Sequence, residues 1–199
     1  MVNRVIHTLS AHVITLRPYR GNRGMSTVAI SRPVAGPAVT VAVMPSPAIA
    51  ALDSAGLPYR LISHGAVGSL AEAAAVRGVA VPDVVKTIVV RRGADDHLFV
   101  LTPGDRVISW PKLRTLLGVH RLSMPDAAGA LAATGYERGT ITPFGASTAW
   151  PVIADERMRG REITLGAGER GLAVAVDADA AIAALAATVA DVTDPQPTR

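Results

Sequence analysis

The sequence lacks cysteine entirely, is poor in aromatic side chains at 4%, and contains no long apolar run. Without cysteine the chain can form no disulfide, no thiolate metal site and no cysteine nucleophile, which suits a reducing compartment. With so few aromatic residues, the core must be built from Ala, Val, Leu and Ile. A membrane-spanning helix needs about 18 consecutive apolar residues, and the absence of such a run predicts no membrane span.

Acidic residues are missing from one region, the first 45 residues. That region holds five of the 20 basic residues and none of the 16 acidic ones. Its composition resembles a transit peptide or a basic, disordered arm. A simpler interpretation, which we favour, is that the true start is Met25 or Met44 and that residues 1–45 are mis-assigned. The remainder is close to neutral, so the net charge of +4 does not by itself indicate a nucleic-acid binder.

From residue 46 onward, capping residues and glycines alternate with apolar runs. They predict helices over residues 46–56, 69–78, 109–118, 125–134 and 177–187. They predict strands over residues 59–63, 84–90, 97–101, 119–122, 162–165, 172–176 and 189–192. Hairpins mixed with helices, without regular βαβ alternation, indicate one α+β domain over residues 46–193 with a mixed, largely antiparallel sheet flanked by helices. The tail 194–199 is polar and is expected to be loose.

Lys86 stands out because it lies inside the apolar, β-branched run 84–90. A buried strand seldom carries a lysine, since an unpaired ammonium is costly to remove from water. Two interpretations remain at this point. Either Lys86 snorkels to solvent at the end of its strand, or its ammonium points at an anion.

Several standard catalytic motifs are absent: the nucleophile elbow, HExxH, the P-loop and the Rossmann glycine fingerprint. The five histidines lack metal-ligand spacing, and we expect neither a metal nor a cofactor. His64 is kept as a candidate because it ends a predicted strand just before Gly65. There it either faces a cleft or is a plain turn residue.

Two glycine-containing loops remain, at residues 139–145 and 166–171. Such loops let main-chain N–H groups approach a ligand and form a nest for an oxyanion or a carbonyl, although each alone is also typical of a tight turn. Between Lys86 and Arg121 seven basic residues stand against three acidic ones. This excess indicates a local phosphate-binding surface around Lys86, with a solvated charged face as the alternative.

Five segments of the chain, taken in order, resemble the YbaK/ProX aminoacyl-tRNA deacylase family, which includes the editing domain inserted in bacterial prolyl-tRNA synthetase. The segments are His64-Gly65-Ala66-Val67-Gly68-Ser69, Val85-Lys86-Thr87, Thr134-Gly135-Tyr136, Gly139-Thr140-Ile141-Thr142-Pro143-Phe144-Gly145 and Gly166-Ala167-Gly168-Glu169-Arg170-Gly171-Leu172. The resemblance covers residues 44–193. It places the invariant lysine of the family on Lys86 and the G-x-x-x-P loop on residues 139–143.

The resemblance implies hydrolysis of the ester that joins an amino acid to the 3′ adenosine of tRNA. Lys86 would hold the adenosine or the ester carbonyl, and loop N–H groups would stabilise the developing oxyanion during attack by water. The implied catalytic residues are Lys86, Gly139, Thr140, Ile141, Thr142 and Pro143. The implied substrate-binding residues are His64, Thr87, Gly145, Gly166, Ala167 and Gly168.

The amino acid that is removed stays open. Thr87 matches the branch that clears Cys-tRNA, whereas residues 64–72 look like the branch that clears alanine from tRNA-Pro, and Gly166 stands where the first branch has a serine. We expect a free-standing, cytoplasmic, monomeric trans-editing deacylase that acts on mischarged tRNA. The expected substrate is tRNA-Pro carrying a small amino acid, and prolyl-tRNA synthetase is a candidate partner. The alternative is a non-catalytic module that binds tRNA or a synthetase.

Overall fold

A computed structural model describes residues 46–197, so the predictions for residues 1–45 fall outside the described part. The helices are α1 (Pro47–Ser54), α2 (Leu70–Arg77), α3 (Trp110–Leu117), α4 (Ala127–Thr134) and α5 (Ala178–Ala184). The strands are β1 (Tyr59–Ser63), β2 (Lys86–Gly93), β3 (Asp96–Thr102), β4 (Arg106–Ile108), β5 (Val152–Asp155), β6 (Glu162–Gly166), β7 (Leu172–Asp177), β8 (Thr188–Ala190) and β9 (Thr193–Pro195). Within residues 46–197, no helix has the length and apolar character needed to cross a membrane.

The strands form three sheets. The first has the order β2-β3-β5-β8, in which the antiparallel hairpin β2–β3 continues through two parallel pairs. The second has the order β1-β7-β6 and is wholly antiparallel, and β4 pairs with β9 in the same sense. The α+β class with mixed, largely antiparallel sheets is therefore confirmed.

The two larger sheets meet at the start of β2. Val85 N–H donates to Thr164 O on β6 at 2.9 Å, and Val84 forms an isolated bridge with the same threonine. Below this seam lies the main core, in which Phe99 and Leu165 are fully buried. Lys86, the next residue of the chain, therefore begins its strand at the edge of the core, where the two sheets join.

Local signals explain where the helices begin and end. The Ser69 hydroxyl accepts a hydrogen bond from Glu72 N–H at 3.1 Å, and the Asp177 carboxylate accepts one from Ala180 N–H at 2.8 Å. Gly78 ends α2 at a φ of 69°, a left-handed conformation that favours glycine. These arrangements confirm the caps predicted for α2 and α5, whereas the side chain of Ser109, predicted to cap α3, makes no capping hydrogen bond.

The strand predicted over residues 119–122 is wrong. None of its residues belongs to a strand, and only the following residue, Ser123, forms an isolated bridge with Arg91 of β2, which is too little for a ladder. Conversely, the sequence does not predict β5. Its four buried residues follow Pro151, and their pairing partner β3 lies about 50 residues away in the chain, as the register of Phe99 with Val152 shows.

Three predicted boundaries also need correction. Strand β2 begins at Lys86 rather than at residue 84, because the two preceding valines pair with β6 instead. Helix α5 ends at Ala184 rather than at residue 187, and Ala186 then turns the chain at a φ of 47°. The tail expected to be loose from residue 194 is paired at its start, since Asp194 and Pro195 belong to β9.

Candidate active site

A cleft opens at the start of β2, where the loops after β1 and α4 approach the end of β6. It consists of three adjoining cavities of about 400, 420 and 260 Å³. The first is lined by Lys86, Thr87, Gly139, Ile141 and Gly166, among others. The second shares the first four of these residues, and the third joins both at Gly139. We call the three cavities together the β2 cleft.

Lys86 is half-buried in the wall of the β2 cleft. Its Nζ donates hydrogen bonds to Gly104 O at 3.1 Å and to Arg106 O. Burial lowers the pKa of Lys86, and the charge of Asp105 offsets part of that shift. Two main-chain carbonyls thus fix the ammonium and leave one of its three N–H groups for a ligand. This geometry argues against a lysine that merely snorkels into solvent.

Thr87 follows Lys86 on β2 and carries a polar group without a partner. Its Oγ1 is buried and makes no hydrogen bond within the described part of the chain. A buried hydroxyl left in that state costs about 1–3 kcal/mol. Thr87 lines two of the three cavities, although its hydroxyl oxygen itself is not exposed in them.

Arg77, at the end of α2, is a second cation of the cleft. Its Nη1 donates to Thr164 Oγ1 and its Nη2 to His64 Nε2, both at 3.4 Å, while its Nε is buried without a partner. Burial lowers the pKa of Arg77. No ion pair among residues 46–197 includes Arg77 or Lys86. The cleft therefore presents two desolvated cations, neither of which forms an ion pair within residues 46–197.

The sequence reasoning missed Arg77. A basic residue in the last turn of a helix normally complements the helix dipole, so nothing in the local pattern marks it for function. Its role arises only because α2 packs its end against β6 and beside the cleft.

His64 lies beside Arg77 and lines the third cavity. Its Nδ1 is 2.7 Å from Gly65 O. A carbonyl can only accept, so Nδ1 carries the proton and Nε2 is left to accept from Arg77. His64 therefore holds the guanidinium at the rim of the cleft.

The loop 139–143 reaches the cleft through Gly139 and Ile141. Thr140 N–H is already used, because it donates to Glu137 O at 3.0 Å, and Gly168 N–H donates to Thr140 O at 3.1 Å. The N–H groups of Gly139 and Ile141 have no acceptor within the described residues. They are the donors that this loop leaves for a ligand.

Four predicted site residues of this loop lie away from the cleft surface. Thr140, Thr142 and Pro143 are buried behind it. Gly145 packs on α1 so closely that a Cβ there would lie 2.2 Å from Pro47 O. These residues shape the loop, and the structure does not bring their side chains to the cavities.

The second glycine loop contributes mainly through Gly166, at the end of β6. A Cβ at Gly166 would lie 3.0 Å from Thr140 O, so the two loops are in close contact. Ala167 is fully buried and its carbonyl accepts from Ser46 Oγ at 2.9 Å. Gly168 faces the Tyr136 ring, which a Cβ would approach to 2.7 Å. Of this trio only Gly166 lines the cleft.

The cleft has a consistent chemical character. Its first two cavities have no carboxylate in their lining, and within residues 46–197 no three His, Asp or Glu side chains are grouped to hold a metal ion. Lys86, Arg77 and Arg138 supply cations to its lining, and Gly139 and Ile141, whose N–H groups have no acceptor within the described residues, line it as well. Such a site binds an anion and stabilises negative charge that develops on an oxygen.

Comparison with known proteins places this arrangement in context. The model of a family described as the aminoacyl-tRNA editing domain matches residues 64–183, more than half of the chain. The multifunctional Ser/Thr-tRNA deacylase ProXp-y of Escherichia coli is 28% identical over 125 residues, which cover 60% of this chain and 75% of that protein. A proline–tRNA ligase of Pelobacter propionicus is 30% identical over 105 residues, which cover 52% of this chain but only 18% of the ligase.

The fold is shared with solved structures as well. A crystal structure of a candidate trans-editing enzyme for prolyl-tRNA synthetase superposes with a TM-score of 0.69 at 24% identity, over 74% of this chain and 95% of that one. The segment that the family model matches contains every residue of the β2 cleft discussed above. The chain belongs to the aminoacyl-tRNA editing domain family.

Proposed function

We propose that the protein is a deacylase that hydrolyses the ester of a mischarged aminoacyl-tRNA. One observation carries the proposal: Lys86, Arg77 and the free N–H groups of Gly139 and Ile141 surround one cleft that has no carboxylate in its first two cavities. The substrate ends in a phosphate-bearing nucleotide whose ester carbonyl becomes an oxyanion. The positive charge of the cleft is complementary to the phosphate and to the oxyanion.

Each group has a role in this reaction. Arg77 binds the phosphate of the terminal nucleotide, because a guanidinium recognises phosphate through paired donors. The third N–H of Lys86 binds the terminal ribose or the ester carbonyl. The N–H groups of Gly139 and Ile141 stabilise the oxyanion, and removal of one such donor typically costs about 2.7–4 kcal/mol.

Water is the nucleophile in this scheme. Its oxygen bonds to the ester carbonyl carbon, the bond from that carbon to the ribose oxygen breaks, and the ribose oxygen takes up a proton. An aminoacyl ester is already activated, so no covalent intermediate is needed, and the amino or hydroxyl groups of the substrate help to orient the water.

The expected substrate is tRNA-Pro carrying a small amino acid. One relative of this chain is named a Ser/Thr-tRNA deacylase and another is a proline–tRNA ligase, which supports this expectation. Gly166 differs from the serine of the Cys-clearing branch, and a Cβ there would press on Thr140 O at 3.0 Å. Gly166 and the resemblance of residues 64–72 to the alanine-clearing branch, together with the Ser/Thr-tRNA deacylase among the relatives, lead us to favour alanine, serine or threonine over cysteine as the amino acid removed.

The setting of the reaction is part of the proposal. We expect residues 46–193 to carry the activity as a cytoplasmic monomer that works in trans, with prolyl-tRNA synthetase as a partner. Residues 1–45 would then be dispensable, and an N-terminally truncated protein starting at Met44 should keep its turnover and thermal stability.

A panel of mischarged tRNAs tests the proposal. Purified protein should release alanine, serine or threonine from tRNA-Pro without added metal or nucleotide, and EDTA should not change the rate. Correctly charged Pro-tRNA-Pro serves as the control and should be spared. Tight tRNA binding without hydrolysis of any ester in the panel would instead establish a non-catalytic binding module.

A further inference from the structure

A second concave surface lies at the opposite end of β2 from Lys86. We call it the arginine pocket; it has a volume of about 510 Å³, and four arginines and one histidine line it. These residues are Arg91, Arg92, Arg114, His120 and Arg121. They come from three separate parts of the chain: the end of β2, helix α3 and the segment after α3.

The arginine pocket carries charge that the protein leaves largely unneutralised. No acidic residue lines it. Arg92 pairs with Asp96 at 2.8 Å, whereas no ion pair among residues 46–197 includes Arg91, Arg114 or Arg121. Like charges gathered around one hollow repel one another, so an anion bound there would relieve that repulsion.

Hydrogen bonds fix the shape of the pocket. Arg91 and Ser123 exchange two main-chain bonds, of 2.8 and 3.1 Å, and Arg91 Nε donates to Ser123 Oγ at 3.2 Å. The segment that carries His120 and Arg121 is thereby tied to the end of β2. The main chain of the pocket and the side chain of Arg91 are therefore in place before any ligand arrives.

The pocket is connected to the β2 cleft along the molecular surface. The second cavity of the cleft shares Met124 and Pro125 with a further cavity of about 560 Å³, and that cavity shares Arg91 with the arginine pocket. Arg91 follows Lys86 by five positions on β2, a path of about 17 Å. A ligand that starts in the cleft and continues along β2 would therefore reach the arginines.

We propose that the arginine pocket binds the sugar-phosphate backbone of the tRNA acceptor end, upstream of the ester that lies in the β2 cleft. This inference rests on the proposed function. A tRNA must leave the cleft as a chain of phosphates. Along β2 the arginines lie beyond the neighbouring cavity, which also has Asp95 and Asp126 in its lining, so the backbone would pass these carboxylates before it reaches the arginines. Contacts of this kind position the nucleic acid without reading its sequence.

The test compares two double variants that lose the same charge. Arg114→Gln with Arg121→Gln removes two cations from the pocket. Arg60→Gln with Arg159→Gln removes two exposed arginines elsewhere, each paired only at the surface with Glu162 or Asp179. Each pair is assayed on mischarged tRNA and on the same amino acid esterified to adenosine alone.

We expect the pocket variant to lose on the order of tenfold in kcat/KM on tRNA at low salt. The dependence of log kcat/KM on log salt should flatten by about 0.7–0.9 for each arginine removed. Hydrolysis of the aminoacyl-adenosine should not change, and the control variant should match the wild type. Equal losses in both double variants, or an equal loss on aminoacyl-adenosine, would overturn the proposal.

Binding of uncharged tRNA separates this inference from the proposed function. If the pocket variant and the control variant bind uncharged tRNA equally, the pocket is not a tRNA surface, whatever the enzyme hydrolyses. If the pocket variant binds more weakly and the wild type hydrolyses no ester, the pocket assignment stands and the deacylase proposal fails.

Discussion

Two polar regions of the molecule are built in opposite ways. In the β2 cleft, Arg77 and Lys86 have no carboxylate partner among the described residues, and Thr87 Oγ1 has no hydrogen bond there. The second region, which we call the Asp155 cluster, lies where β5 ends beside β9. It comprises Lys112, Asp155, Arg157, Asp191, Thr193 and Asp194.

In the Asp155 cluster every charge has a partner. Asp155 is fully buried, and it accepts hydrogen bonds from Thr193 Oγ1 at 2.7 Å and from the Arg157 guanidinium at 3.2 Å. Arg157 also bonds Asp191 at 2.8 Å, and Lys112 bonds Asp191 and Asp194. Stability requires such satisfaction of buried polar groups. In the β2 cleft some buried polar groups have no partner in the protein, as is expected of a site that binds a ligand.

The two regions meet at Arg106. Its carbonyl accepts from Lys86 Nζ, and its guanidinium donates to Thr193 Oγ1 at 2.6 Å. The pairing of β4 with β9 holds the Arg106 main chain in place. Arg106 thus links the Asp155 cluster to the Lys86 ammonium.

The largest effect on stability should come from Asp155→Ala. It leaves the Thr193 hydroxyl and part of the Arg157 guanidinium without their buried acceptor, so we expect a loss of about 3 kcal/mol in the free energy of unfolding. Because β4 and β9 keep the Arg106 carbonyl in position, kcat/KM per folded molecule should stay within about threefold of wild type. Urea unfolding and deacylation assays measure the two quantities. A rate that falls with stability unchanged would reverse the assignment of the two regions.

Arg77→Met should lower the rate and leave the stability unchanged, the reverse of the result expected for Asp155→Ala. It removes a desolvated cation that has no carboxylate partner, so stability should be unchanged or slightly higher. The terminal phosphate loses its donor, and kcat/KM should fall by about 2 kcal/mol, roughly thirtyfold. Arg77→Lys keeps a charge but not the paired donors, so its kcat/KM should lie between that of the wild type and that of Arg77→Met. A lower melting temperature with a normal rate would make Arg77 structural.

A matched pair of glycines probes the cleft with a smaller change. Gly139 and Gly160 have φ of 93° and 67°, and a Cβ at either would meet nothing within 4 Å. Alanine at either position should therefore cost about 1–2 kcal/mol of backbone strain. Only Gly139→Ala places a methyl group in the cleft, so only that variant should lower kcat/KM. Equal rates in the two variants would remove Gly139 from the site.

The smallest effect concerns pH and the exposed edge of the Asp155 cluster. Arg157, and after it Lys112, lowers the pKa of Asp191 to about 2, below the value of about 3.9 in an unfolded chain. The carboxylate therefore contributes stability above about pH 4 that is lost as the pH falls towards 2. Since the pair is partly exposed, Asp191→Asn should cost under about 1 kcal/mol at pH 6. Urea midpoints should converge near pH 2, and a difference that persists there would contradict the pairing.

Much of the fold could be predicted because its signals are local. Ser69, Gly78 and Asp177 mark helix ends through bonds within a few residues, and β1 follows from its own apolar pattern. Strand β5 could not be predicted, since four buried residues become a strand only by pairing in parallel with the distant β3. The same limit applies to β9, whose residues are polar and pair with β4.

The candidate site shows the same division. Lys86 was predictable because a lysine inside an apolar strand is unusual anywhere, and Gly139 because glycine loops are visible in the sequence. Gly145 gave the same signal for a different reason, namely its close contact with Pro47 O. Arg77 gave no signal, because its lack of a counter-ion is a property of tertiary packing.

The most direct measurement of the central claim replaces Lys86 by alanine and by arginine in parallel. Both variants should keep the wild-type melting temperature within a few degrees, since a half-buried strand position tolerates either side chain. Both should lose about 3 kcal/mol in kcat/KM on mischarged tRNA-Pro, roughly a hundredfold or more. Alanine lacks the ammonium, and the wider guanidinium cannot keep the two carbonyl contacts and still face the ligand. An arginine variant with full activity, or an alanine variant slowed only in proportion to its unfolded fraction, would contradict Lys86 as the functional centre.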